Sequence, residues 1–153
     1  MVSSKERTIL FFVIPHSMNL NSHVPRWHEL QSAARAAREN AWAPYSHYQV
    51  GAAVLTSDGR IVVGCNVENA SYGLTICAER VAVAAAVAQG CSGFAAICIS
   101  LTGIPVPCGA CRQFLIEFNK GMLILLDDLN RAHDTPPELV RLDELLPRAF
   151  RLL

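Results

Sequence analysis

Three cysteines and one glutamate are the residues of this chain best suited to chemistry. Cys108 and Cys111 stand in "VPCGACRQ", directly after Pro107, and Cys77 and Glu79 stand in "CAER". A C-x-x-C pair alone suits a zinc site, a thiol–disulfide switch or an ordinary helix start equally well. The choice turns on Cys77. It opens one predicted helix and the C-x-x-C pair opens another, and such ends carry free N–H groups and a positive dipole end that favour thiolate over thiol. If the two helix starts converge, three thiolates leave one position of a tetrahedral zinc open for water, the mark of a catalytic rather than a structural site. Glu79 is then the candidate proton-transfer group. Residues i and i+2 of a regular helix point apart, so Cys77 must be a cap outside helical geometry for Glu79 to share its site.

The competing reading is a non-enzymatic zinc or redox module. The late position of the pair, the absence of a preceding aromatic residue and the otherwise idle C-x-E motif weigh against thiol–disulfide chemistry. A four-cysteine structural site needs a second pair, whereas Cys65, Cys91 and Cys98 are single and read as core thiols. The histidines have no ligand-like spacing, and His47, between Tyr45 and Tyr48, reads as a loop residue.

The elements that must position these residues alternate along the chain. Pro25 precedes a helix predicted from about Arg26 to Trp42, rich in Ala, Arg, Glu and Leu, and "APYS" breaks it. "YQVGAAVLTSDGRIVVGCN" holds two β-branched runs around Ser57-Asp58-Gly59, the pattern of an antiparallel hairpin. A mostly buried alanine-rich helix runs from Cys77 to Gln89 and stops at Gly90. "FAAICISL" and "GMLILLD" are continuous apolar runs typical of strands covered on both faces, with the helix "CGACRQFLIEFN" between them. Residues 127–140 read as a long loop, and a short helix near "LDELLPRAF" closes the chain. The order implies an α/β fold, a three-layer α/β/α sandwich whose mixed sheet of about five strands is antiparallel at its start and parallel where helices cross over.

The chain has 153 residues, the usual size of one domain. With 52% hydrophobic and 17% charged residues it is apolar for a monomer, which predicts that other subunits cover part of its surface. Thirteen basic and thirteen acidic residues leave no basic field to hold a nucleic acid. No run approaches the roughly eighteen apolar residues of a membrane helix. The start, "KERTILFFVIPH", lacks a cleavage site and carries Glu6 among its basic residues, so a secretion signal is disfavoured and a reduced cytoplasmic setting expected. Met18 marks residues 1–17 as an upstream extension. The domain is read as residues 26–153, with residues 1–25 outside it.

"CAER" followed by "PCGACRQ", with "PYSHYQVGAAV" and "GCNVENASYG" upstream and "ELLPRAF" at the end, resembles the small homotetrameric zinc-dependent cytidine deaminases that act on free nucleosides. The likeness spans roughly Gln31 to Phe150, with five segments in the same order. It implies hydrolysis of cytidine and 2′-deoxycytidine to uridine and 2′-deoxyuridine with release of ammonia, a pyrimidine salvage reaction that uses a zinc-activated water and a glutamate proton shuttle. On that resemblance Cys77, Cys108 and Cys111 hold one Zn²⁺ per subunit, and Glu79 carries the proton. Arg80 draws charge from the thiolates. Asn66 and Glu68 hold the ribose hydroxyls, the N–H of Ala78 meets the base carbonyl, and Tyr48 packs on the base. Phe150 reaches the site of a neighbouring subunit. Tyr48 departs from the phenylalanine common in the family, and Arg148 stands where a small residue is usual. A related deaminase of another aminopyrimidine nucleoside, such as blasticidin S, would keep the zinc motif and change "NVEN"; Glu68 favours cytidine.

Overall fold

The computed structural model describes residues 19–152. Five strands, β1 (Gly51–Thr56), β2 (Ile61–Cys65), β3 (Phe94–Leu101), β4 (Leu123–Asp128) and β5 (Glu138–Arg141), form one sheet in the order β2-β1-β3-β4-β5. β3 and β4 are parallel and every other neighbouring pair is antiparallel. The helices are α1 (Leu20–His23), α2 (Trp27–Arg38), α3 (Ala78–Ala88), α4 (Gly109–Ile116) and α5 (Leu142–Leu145).

Alternation along the strands assigns each side chain to a layer. Ala52 and Val54 of β1, Ile97 and Ile99 of β3, and Ile124 and Leu126 of β4 pack with α3, α4 and Leu142 of α5. The intervening Ala53, Ala96, Cys98 and Leu125 pack on the other face against Trp27, Leu30 and Ala34 of α2. A sheet covered on both faces has no polar side, which explains the unbroken apolar runs. None of the described helices is long and apolar enough to cross a membrane.

Two glycines let helices lie directly on the sheet. A Cβ on Gly51 would fall 2.0 Å from the carbonyl oxygen of Ala34 in α2, and one on Gly64 would fall 2.4 Å from the backbone nitrogen of Ala82 in α3. Across the sheet, Asp127 is buried and accepts hydrogen bonds from Gln31 Nε2, Arg35 Nε, Arg35 Nη2 and Ser100 Oγ. Arg35 and Gln31 also donate to the carbonyls of His133 and Thr135, tying down the segment that leads into β5.

The structure departs from the sequence expectation in three places. The first long helix ends at Arg38 instead of Trp42, because the chain leaves it to pair with the strand-like segment at 66–68: Trp42 N–H donates to Asn66 O and Glu68 N–H to Trp42 O. The expected loop at 127–140 is shorter, since Asp127 and Asp128 belong to β4 and residues 138–141 form the edge strand β5. Residues 19–25, assigned to an extension, include α1 and the buried Val24, and Asn21 accepts a hydrogen bond from Trp27 Nε1. The expectation for residues 1–17 lies outside the described residues.

Candidate active site

Register brings the site to one end of the sheet. Gly51, the first residue of β1, pairs with Cys65 at the end of β2 and with Ser100 near the end of β3. The loops leaving β2 and β3 there lead into the starts of α3 and α4. Cys77 is the N-cap of α3, with φ −70° and ψ 152°, and Cys108 is the N-cap of α4, with φ −65° and ψ 165°. Both caps are extended, so Cys77 is free of the helical geometry that would turn it away from Glu79.

The sulfurs of Cys77, Cys108 and Cys111 all lie within 4.8 Å of one another, and those of Cys77 and Cys108 are 4.0 Å apart. Tetrahedral zinc with bonds of about 2.3 Å asks for sulfur separations of about 3.8 Å. Cys111 is fully buried, Cys77 half-buried and Cys108 exposed. A hydrogen bond from Cys111, helped by Arg80 and Cys108, pushes the Cys77 thiol down to about 5. Cys111 is correspondingly pushed up by sharing with Cys77 and by burial.

Arg80 lies beside this cluster. Its Nη2 donates to Thr75 O at 3.2 Å and approaches Cys77 Sγ at 3.9 Å, while its buried Nε has no partner among the described residues. A guanidinium with an unspent buried donor next to three sulfurs suits an anionic cluster, and three thiolates around one Zn²⁺ carry a net charge of −1. The residues therefore fit one zinc ion. Glu79 is 4% exposed; burial, followed by the nearby Cys77 charge, raises its carboxyl above the ordinary range.

A cavity of about 450 Å³ opens from this cluster. Its lining includes Cys77, Ala78, Glu79 and Cys108 together with Tyr48, Asn66, Glu68 and Ser46. Ala78 is the first residue of α3, where a backbone N–H has no intrahelical partner. Asn66 is largely committed to the backbone: its Oδ1 accepts from Val50 N–H and its Nδ2 donates to Tyr48 O, which leaves one amide hydrogen. Glu68 Oε2 accepts from the backbone N–H groups of Tyr45 and Ser46, and Oε1 accepts from the Ser46 hydroxyl. Phe150 is not part of the lining in its own chain; it is 70% exposed and its carbonyl accepts from Gln113 Nε2.

Sequence reasoning did not single out Ser46, Thr75, Val50, Ile99, Leu101, Ile104 or Val106, which complete the lining. Ile99 and Leu101 read as ordinary strand core. Ser46 carried a signal only through its place in "PYSHY". Of the expected core thiols, Cys91 and Cys98 are buried and Cys65 is only half-buried, its Sγ 3.5 Å from Asn40 O.

The family model for the cytidine and deoxycytidylate deaminase zinc-binding region matches residues 26–126, more than half of the chain. The chain belongs to this family. It is 44% identical over 128 residues to the cytidine deaminase of Mycobacterium tuberculosis (strain ATCC 25618 / H37Rv), a match covering 82% of this chain and 90% of that one. It is 41% identical over 125 residues to the probable cytidine deaminase of Dictyostelium discoideum, covering 76% of this chain and 85% of that one. Among solved structures, cytidine deaminase from Burkholderia pseudomallei aligns with a TM-score of 0.74 at 46% identity, over 80% of this chain and 98% of that one. Membership resolves the alternatives left by the C-x-x-C pair: the zinc-binding region spans Cys77, Cys108 and Cys111, and the chain is a zinc-dependent deaminase.

Proposed function

We propose that the chain hydrolyses cytidine and 2′-deoxycytidine to the corresponding uridines and ammonia, a step in the salvage of pyrimidine nucleosides in the cytoplasm. The observation that carries this reading is a buried Glu79 beside a cluster of three sulfurs, on a cavity that Glu79, two of the three cysteines and Glu68 all line. Cys77, Cys108 and Cys111 would hold one zinc ion, which would supply Lewis-acid activation of the attacking water. Glu79 would accept one proton of the attacking water and deliver it to ring nitrogen N3 as the water oxygen bonds to C4, then carry the second proton, from the new C4 hydroxyl, to the amine, which leaves as ammonia when its bond to C4 breaks. The N–H of Ala78 donates to the base carbonyl. Tyr48 packs on the ring, and Glu68 with the remaining amide hydrogen of Asn66 takes the ribose hydroxyls. Arg80 withdraws charge from the sulfurs, keeping the site electrophilic.

Assembly belongs to the same reading. Cys108, Gly109, Ala110 and Ile104 are exposed at the site, and large apolar residues including Trp42, Tyr72, Leu74 and Phe150 are exposed as well. Four copies that bury this surface would let Phe150 of one chain complete the cavity of another. The deciding assay follows loss of cytidine absorbance for the parent and for Glu79→Gln. The amide fills the same space but cannot carry the proton, so kcat should fall about 10²–10⁴-fold while about one zinc per chain is retained. A variant that keeps more than roughly a tenth of the parent kcat would remove Glu79 from this role.

A further inference from the structure

The segment between α2 and β1 forms a rim of the cavity, and one hydroxyl organises it. Ser46 Oγ donates to Glu68 Oε1 and accepts from the backbone N–H of Tyr48 at 3.0 Å. The turn that makes both contacts possible passes through His47 at φ 56°, a left-handed conformation uncommon outside glycine, and His47 N–H closes it by donating to Ala43 O. Glu68 Oε2 is already filled by the N–H groups of Tyr45 and Ser46, at 2.9 Å and 3.2 Å. A carboxylate oxygen offers about two acceptor positions, so Oε1, holding the single Ser46 hydroxyl, is the oxygen with a position left.

We infer that Ser46 is a positioning residue for substrate: through its bond to Glu68 Oε1 it aims the one remaining carboxylate acceptor at a hydroxyl of the nucleoside sugar. The inference rests on the proposed role of Glu68 as the sugar acceptor.

Three features support it. The terminal torsion of a glutamate is broad, so a free carboxylate loses rotational freedom on binding, whereas one held by three donors does not. The Tyr48 N–H occupies an acceptor position of the Ser46 oxygen, which directs the serine proton toward Glu68 and couples the backbone of the base-packing residue to the sugar acceptor. The Glu68 carboxyl also lies below its ordinary range, with the Ser46 hydroxyl as the largest cause, so the serine bond favours the charged acceptor. Ser46 thus differs from a turn residue whose hydroxyl serves only the backbone.

The test uses the zinc-loaded full chain as parent, Ser46→Ala, Ser46→Thr, Glu68→Gln and the double variant Ser46→Ala/Glu68→Gln. It measures kcat and KM for cytidine, and inhibition constants for uridine and 2′,3′-dideoxyuridine, which share the base and differ in the sugar hydroxyls. Ser46→Ala should raise KM for cytidine and KI for uridine about five- to tenfold, the loss of one aligned hydrogen bond. It should leave kcat, zinc content and KI for dideoxyuridine near parent values. Ser46→Thr should restore the affinity, and the double variant should bind uridine no worse than Glu68→Gln. If Ser46→Ala weakens both inhibitors equally, or neither, while Glu68→Gln still discriminates between them, Ser46 only shapes its loop and the inference is overturned with the role of Glu68 intact. If Glu68→Gln itself treats the two inhibitors alike, the sugar-acceptor reading fails and takes the inference with it.

Discussion

Gly64→Ala sets a demand of the fold directly against the helix that carries Ala78 and Glu79. The new Cβ would lie 2.4 Å from Ala82 N, 2.7 Å from Ala78 O and 2.9 Å from Ala82 Cα. All three atoms are backbone of α3, so no side chain can swing aside. Ordinary contact begins at 3.4 Å, and α3 must therefore move away from β2 by about 1 Å. The moving turn carries Ala78 and Glu79 and follows Cys77, whereas Cys108 and Cys111 start a different helix. A displacement of about 1 Å between reacting groups costs on the order of 100-fold in rate, and forcing one methyl into a packed contact costs about 1–3 kcal/mol. For a chain of this size that is a fall in Tm of about 3–10 °C. The assay pairs kcat/KM for cytidine with zinc content and thermal unfolding. Gly64→Ala with both Tm and kcat/KM at parent levels would refute the claim that this glycine seats the catalytic helix.

Cys111→Ala should lose metal and stability together, since the residue is fully buried between the other two sulfurs and the helix; metal analysis beside thermal unfolding checks both, and a zinc-replete, fully stable variant contradicts the donor set. Burial alone would raise the Asp127 carboxyl, but bonds from Arg35, Ser100 and Gln31 outweigh it and hold it below the ordinary range. Its contribution is therefore complete above the unfolded carboxyl value, about 3.9, and is lost as pH falls through the lower folded value. Asp127→Asn should cost about 3 kcal/mol near neutral pH by leaving Arg35 without its charged partner, and the difference between parent and variant denaturation curves should begin to shrink only below about pH 4. On the proposed assembly, Phe150→Ala and Glu79→Gln, each weak alone, should regain activity when their unfolded chains are mixed and refolded together, because a mixed oligomer would pair an intact Glu79 with a neighbour's intact Phe150. Mixed oligomers with no gain would place Phe150 outside the neighbour's site.

What could be read from the sequence follows the range of the interactions involved. The layers and most elements were legible because their causes are local: unbroken apolar runs, the Ser57-Asp58-Gly59 turn, and Gly90 after the alanine-rich helix. The sulfur cluster was legible because three thiol positions at two helix starts have few other uses. The early end of α2 was not, because Ala41 and Trp42 suit a helix and are drawn away by pairing with residues 66–68, a contact absent from any local window. β5 was missed for the same reason. It is four residues long, follows two prolines and exists by virtue of β4 beside it. Asp127 and Ser46 show the limit for side chains. An aspartate at the end of an apolar run and a serine in a turn carry no sequence mark that one binds four donors and the other reaches a carboxylate twenty-two positions away.

Cys77 and Cys108 are thirty-one positions apart, and between them lie α3 and β3, the middle strand of the sheet. Joining their sulfurs through one ion closes a loop of that length. A cross-link of such a span removes, in the chain-entropy picture developed for disulfides, about 4 kcal/mol of freedom from the unfolded chain. The donor set is thus also a clasp on the centre of the molecule. Since domains are typically stable by only about 5–15 kcal/mol, an unclasped chain would open far more often and be degraded sooner. Metal supply would then govern how many copies of the protein persist in a cell as well as how fast each one works.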